Sequence, residues 1–211
     1  MKTAFLYAGQ GSQRVGMGRD LYAASPAFRK AFDAAELAFD LHALCFDGPQ
    51  ETLNQTQYTQ PCMVAFACGV TAALFDAGIR PDYVAGLSLG EYSALEASGV
   101  FAAKAAIELA AYRGAAMASA SEGVSSAMTA VLMLDRESLA RCCEEAGGMV
   151  RICNYNCPGQ IVIGGEADAV EAMFISLGAR RAILACRPLR MLEMQEFAER
   201  PVLHRRKRAV P

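Results

Sequence analysis

Tryptophan is absent from this chain, and only two histidines, His42 and His204, stand among its 211 residues. None of the eight cysteines (positions 45, 62, 68, 142, 143, 153, 157 and 186) belongs to a Cys-x-x-Cys pair. With so few histidine companions, neither a zinc site nor a disulfide framework is expected. Most of the cysteines read as small core fillers; Cys153 and Cys157 share a turn region, where reduced thiols are favoured over a redox pair. No uninterrupted apolar run of membrane-spanning length stands out, and the start Met1-Lys2-Thr3-Ala4-Phe5-Leu6-Tyr7 lacks the long apolar region of a secretory signal. A cytoplasmic protein with no membrane partner is therefore expected. Gly-x-Gly-x-x-Gly and a Lys-Ser/Thr phosphate-loop ending are also missing, which disfavours nucleotide binding.

What is present suits a packed domain: 54% of residues are hydrophobic and 20% charged. The net charge of −2 conceals an asymmetry. Residues 1–186 carry 13 Lys and Arg against 19 Asp and Glu, whereas 187–211 carry seven against three. A basic end can serve nucleic-acid binding, but here it has no interleaved aromatics and no fold motif, so no nucleic-acid partner is expected.

The periodicity predicts an α/β protein. Thr3–Tyr7 reads as a buried parallel strand entering the loop Gly9-Gln10-Gly11-Ser12-Gln13. Ser25-Pro26 supplies an N-cap and a first-turn proline for a helix running through Phe28, Phe32, Ala35, Leu37 and Phe39. Gln60–Ala77 is apolar nearly all round, as a buried helix would be, and Gly78 ends it. Pro81–Ala85 is a second short strand, followed by helices over Leu89–Ala97 and Phe101–Ala120. From Ser125 a β-α-β-β-α-β order follows: strands over 127–134, 150–155, 160–164 and 181–185, and helices over 136–146, capped by Asp135, and 167–177. That order is the ferredoxin-like split unit. The expected organisation is an α/β-hydrolase-like parallel-sheet core (1–124), an inserted ferredoxin-like subdomain (125–186) with a cleft between the two, and an atypical basic tail (187–211).

Chemistry concentrates at Gly86-Leu87-Ser88-Leu89-Gly90. Gly-x-Ser-x-Gly alone is a common pattern, but a strand before it and a helix after it give the context of a nucleophile elbow. A sharp turn there pushes the Ser88 hydroxyl out of the sheet's carboxyl edge, with glycines where neighbouring backbone leaves no room for a Cβ. Ser88 is thus the candidate nucleophile, and the Leu89 amide, at the positive end of the following helix, the first oxyanion donor. A second donor is placed by the glycine-rich loop 9–13, at the same carboxyl edge. On the residues alone, Arg113 in its alanine-rich helix reads as a solvated side chain.

Four ordered motifs carry a resemblance. Gly9-Gln10-Gly11-Ser12-Gln13, the elbow Gly86-Leu87-Ser88-Leu89-Gly90-Glu91-Tyr92-Ser93-Ala94-Leu95, Arg113-Gly114-x-x-Met117, and Asn154-x-Asn156-x-Pro158-x-Gln160-x-Val162-x-Gly164 together resemble the malonyl-CoA:acyl-carrier-protein transacylases, from residue 1 to about 185. The resemblance implies that Ser88 takes a malonyl group from malonyl-CoA and gives it to the phosphopantetheine thiol of acyl carrier protein, as in fatty-acid biosynthesis. It implies backbone oxyanion donors at Gln10 and Leu89, a carboxylate-binding role for Arg113, and no cofactor or metal.

Two departures accompany it. Leu87 stands where the motif often has histidine, a position next to the nucleophile but not that of the base. The family's base is a histidine in a Gly-Pro-Phe-His-type segment, and the corresponding stretch here reads Cys186-Arg187-Pro188-Leu189-Arg190-Met191-Leu192-Glu193. Neither His42 nor His204 matches that motif. Charge, glycine content and periodicity all change near residue 186, and a disrupted reading frame is the expected origin. The apolar surface of the Thr3–Tyr7 and Tyr83–Ala85 layer is then expected to stand open unless a partner covers it. Alternatives to the transferase are an inactive truncated remnant, an acyl-carrier-binding module, and a serine ester hydrolase of related fold.

Overall fold

The computed structural model describes residues 2–123, 125–176 and 183–186. Strand β1 (Ala4–Tyr7) pairs in parallel with β2 (Tyr83–Gly86), Phe5 lying opposite Val84 and Tyr7 opposite Gly86. The pairing is extended by Thr3, whose carbonyl accepts from the amides of Asp82 and Tyr83 and whose own amide donates to Asp82 Oδ2 at 2.7 Å.

Parallel neighbours need a crossover. Here it consists of α1 (Arg19–Ala24), α2 (Pro26–Phe32), a π-helical turn at Ala43–Asp47, α3 (Gln50–Leu53) and α4 (Thr56–Asp76). Ser25 caps α2 as its sequence suggests, its hydroxyl accepting from the Phe28 amide at 3.1 Å. The helix stops at Phe32, however, instead of running through Phe39. Asp33 at its end is held by two side chains from outside the helix, Tyr22 Oη and His42 Nε2, each 2.8 Å from a carboxylate oxygen. Phe39 then packs edge-on against Tyr58 with ring centroids 5.0 Å apart.

α4 begins a turn earlier than the apolar run, at Thr56, and its 21 residues carry Pro61 near the start; Gly78, at φ +77°, follows its end. By length and composition alone it is long and apolar enough to cross a membrane, as a buried core helix can also be. Half of its most apolar window is buried in this molecule, against α2, α5 and α6. Phe28, Phe32, Leu53, Val64, Ala65 and Ile107, all fully shielded from solvent, form the centre of that core.

After β2 come α5 (Gly90–Ala97) and α6 (Ala103–Ala120). Beyond residue 125 the chain forms β3 (Ser126–Leu132), α7 (Arg136–Glu145), β4 (Val150–Cys157), β5 (Gln160–Glu166), α8 (Ala167–Ser176) and β6 (Ile183–Cys186). These four strands make an antiparallel sheet in the order β4-β5-β3-β6. α7 and α8 contribute Leu139, Cys143, Val170 and Met173 to a second hydrophobic cluster with Val131, Val150, Ile161 and Ile163. Asp135 caps α7 as expected, accepting from the Ser138 amide at 2.8 Å. The expected tail 187–211 lies outside the described residues.

Candidate active site

Ser88 has a backbone φ of +52°, one of two non-glycine residues with positive φ among the described residues. A left-handed conformation at a serine costs energy and persists only where the surroundings impose it. Here they do. A Cβ on Gly86 would lie 2.1 Å from the Gly90 carbonyl carbon, and one on Gly90 would lie 2.2 Å from the Tyr7 carbonyl oxygen. Both glycines of the pattern are therefore required by backbone contact. Gly9 belongs to the same arrangement, since a Cβ there would sit 2.9 Å from the Leu87 carbonyl oxygen. The loop after β1 and the elbow after β2 touch main chain to main chain.

That contact sets the entrance of α5. The amides of Gly90, Glu91 and Tyr92 turn back onto the carbonyls of Leu87, Ser88 and Leu89. The Leu89 amide is the next one upstream, at the helix end where the dipole is positive. Its side chain is buried at 1% exposure, which fixes the amide, while Ser88 beside it is exposed. Gln10 is placed across the junction. Its side-chain amide donates to Thr56 Oγ1 at 3.1 Å, and its carbonyl end faces Gln60 Nε2 at 3.5 Å. Gln13, almost fully buried, stiffens the same loop by accepting from the Gly11 amide at 2.9 Å and donating to Asn54 Oδ1 at 2.9 Å.

Arg113 reaches this junction from α6. Gly114, the next residue, lets α6 approach the start of α4, because a Cβ at that position would lie 2.8 Å from the Thr56 carbonyl oxygen. Across this close approach Arg113 Nη1 donates to Gln60 Oε1 at 2.7 Å, and Nη2 lies 3.4 Å from Ser88 Oγ. The guanidinium also stands over the Tyr92 ring at 5.9 Å, within cation–π range. Gln60 Nε2 completes the set with a contact to Met117 Sδ at 3.3 Å. Arg113 is thus not the solvated side chain that its helix alone suggests.

Three of the contributors were not singled out in the sequence: Gln60, Thr56 and Tyr92. Gln60 is the consequential one, with no solvent exposure at all. A glutamine opening an otherwise apolar helical run was its only signal. Asn154 and Asn156 lie on β4, where Asn156 Nδ2 donates to Gln160 Oε1 at 2.9 Å across the hairpin. The stretch after Cys186, where the resemblance places a base, lies outside the described residues.

A hydroxyl at a strained strand-to-helix turn, backbone amides beside it and a guanidinium within 3.4 Å can together hold an acyl group that carries its own negative charge. The acyl transferase domain family model matches residues 4–187. The chain is 42% identical over 190 residues to the malonyl CoA-acyl carrier protein transacylase of Bacillus subtilis, covering 86% of this chain and 60% of that protein. Among solved structures it resembles MCAT from Streptococcus pneumoniae, with a TM-score of 0.78 at 44% identity, covering 88% of this chain and 63% of that one. It also resembles, at 40% identity and a TM-score of 0.78, the complex of a type II PKS acyl-carrier protein with its malonyl-transacylase, covering 88% of this chain and 62% of that chain. The chain spans about three-fifths of the length of the curated relatives it matches. On sequence and structure together, this chain belongs to the acyl transferase domain family.

Proposed function

We propose that this chain is built to transfer a malonyl group from malonyl-CoA to the phosphopantetheine thiol of acyl carrier protein, in the cytoplasm, as a step of fatty-acid biosynthesis. In this reading Ser88 Oγ attacks the thioester carbonyl, the C–S bond breaks, and coenzyme A leaves as the thiol with the serine proton. The carrier thiol then attacks the Ser88 ester, the acyl–oxygen bond breaks, and the proton returns to Ser88. The Gln10 and Leu89 amides receive the negative oxygen of each tetrahedral intermediate.

The observation that carries the proposal is the placement of Arg113. Its planar fork, anchored to Gln60 at 2.7 Å and 3.4 Å from Ser88 Oγ, suits the free carboxylate of a malonyl group. A serine ester hydrolase acting on aliphatic acyl chains has no use for a cation there. Residues 125–186 we read as the ferredoxin-like subdomain beside an α/β-hydrolase-like core; the antiparallel order β4-β5-β3-β6 supports this, since it is what a split β-α-β pair gives.

The test is incubation with radiolabelled malonyl-CoA, with and without carrier protein, alongside Ser88→Ala. Label on Ser88 that passes to the carrier supports the transferase. Free malonate released without carrier dependence would indicate the hydrolase, and no label would indicate a carrier-binding module or an inactive remnant.

A further inference from the structure

Arg113 Nη1 donates to Gln60 Oε1 at 2.7 Å, whereas Nη2 stands 3.4 Å from Ser88 Oγ, a long contact. One short bond fixes where a single nitrogen sits but lets the planar group swing about that bond. Tyr92 meets the guanidinium from α5, its ring centroid 5.9 Å from the guanidinium carbon. The ring is itself held in place. The Tyr92 amide donates to the Leu89 carbonyl at 3.2 Å in the first turn of α5, and the side chain packs against the core cluster that contains Leu89 and Ile107. A guanidinium over an aromatic face is attracted to it. Glutamine and ring together therefore define the plane that Gln60 alone leaves undetermined.

That plane matters only to a ligand that meets two N–H groups at once. A carboxylate accepts from a guanidinium through two parallel bonds lying in one plane, and tilting the plane loses the second bond. An acyl group that ends in a methyl makes neither bond and does not register the tilt.

We infer that Tyr92 is a positioning residue: its ring sets the guanidinium plane of Arg113 and thereby the preference for acyl groups that end in a carboxylate. The inference rests on the reading that Arg113 receives the malonyl carboxylate, so it is tested in two ways. The first titrates the Ser88→Ala chain, which binds without reacting, with malonyl-CoA and with acetyl-CoA in a calorimeter. Adding Tyr92→Leu should weaken malonyl-CoA binding about threefold to tenfold and change acetyl-CoA binding by less than about twofold, whereas adding Tyr92→Phe should leave both unchanged. Tyr92→Met repeats the comparison if circular dichroism shows that the leucine variant does not fold. The second test needs no substrate. In NMR spectra the Arg113 Nη protons, assigned through Arg113→Lys, should give separate signals in the parent and in Tyr92→Phe, and should merge in Tyr92→Leu as rotation about the Nε–Cζ bond is released. Equal losses for the two CoA esters, a phenylalanine variant as poor as the leucine one, or Nη signals indifferent to removal of the ring would each overturn the inference. A parent that binds both esters alike would end the carboxylate reading and with it the selectivity assigned to Tyr92, while the hold of its ring on Arg113 would still stand or fall by the NMR signals.

Discussion

Gln60 Oε1, in a side chain wholly removed from solvent, accepts a hydrogen bond of 2.7 Å from Arg113 Nη1. The two residues sit on different helices, α4 and α6, and their bond fixes the guanidinium plane near Ser88. A hydrogen bond to a charged group contributes roughly 1.5–3 kcal/mol. Gln60→Ala is therefore expected to lower kcat/KM for malonyl-CoA about 10- to 100-fold. The loss should be much smaller for an acyl-CoA without a free carboxylate. Equal losses for both substrates would reduce Gln60 to a packing residue.

Ser88 carries backbone strain that a glycine would not feel. Left-handed geometry costs a non-glycine residue roughly 1–2 kcal/mol, and the extra freedom of glycine in the unfolded chain returns about 0.5–1 kcal/mol of that. Ser88→Gly should consequently raise stability by up to about 1 kcal/mol while abolishing acylation. Urea denaturation checks it, with Ser88→Ala expected to show no such gain.

Gly90→Ala should be among the most damaging single changes in the chain, because the new methyl would approach the Tyr7 carbonyl oxygen to 2.2 Å. Something in the backbone must move, and losses above about 4 kcal/mol belong to this kind of lesion. The expected outcome is loss of soluble protein at 37 °C, whereas Gly99→Ala should remain soluble: no atom lies within 4 Å of a Cβ there, and strain from its φ of +83° is the only cost. Comparable soluble yields would show that the junction is more pliant than it looks.

Glu96 gives a pH signature. Burial pushes its carboxyl from 4.5 to about 7, opposed by a hydrogen bond from the Cys68 thiol, and its Oε2 is buried without a partner among the described residues. Its neighbours Tyr7 and Cys68 are themselves pushed upward, chiefly by burial, and stay protonated in that range. Between 4.5 and about 7 the folded chain holds a proton at Glu96 that the unfolded chain has released. Stability contributed by this group is therefore full below 4.5 and falls as pH rises toward and through 7. Glu96→Gln should flatten this slope and be the more stable form at pH 8 in thermal melts. An unchanged slope would place the titration elsewhere.

Ser25→Ala removes the hydroxyl that accepts from the Phe28 amide at 3.1 Å. Loss of such a cap costs about 0.5–2 kcal/mol. A chemical-denaturation midpoint unmoved by the change would mean that Pro26 alone suffices to start α2.

Local signals were the legible part of this fold. Both caps, Ser25 and Asp135, are where short-range chemistry puts them, and the two glycines flanking Ser88 are required by the contacts their pattern implied. Boundaries set by distant residues were not legible. The end of α2 depends on Tyr22 and His42 gripping Asp33, and nothing local to residues 33–39 announces it. The start of α4 lies one turn before the apolar run, in Thr56-Gln57-Tyr58-Thr59, whose mostly polar residues carry no apolar period. In the site, Ser88 and Leu89 follow from the elbow itself. Arg113 needed the resemblance, because its partner Gln60 lies 53 residues away in sequence. Gln60 went unnoticed for the same reason: a buried glutamine is conspicuous only after its partners are placed beside it.

The main-chain contacts of Gly9, Gly90 and Gly114 have a consequence for redesign. No continuous stretch of this sequence could be moved to another scaffold and keep the site's geometry. A graft would have to carry residues 7–11, 56–60, 86–91 and 113–117 as four separate stretches in fixed relation. Side chains around Ser88 are open to exchange one at a time; the backbone that sets its φ is inherited as a block.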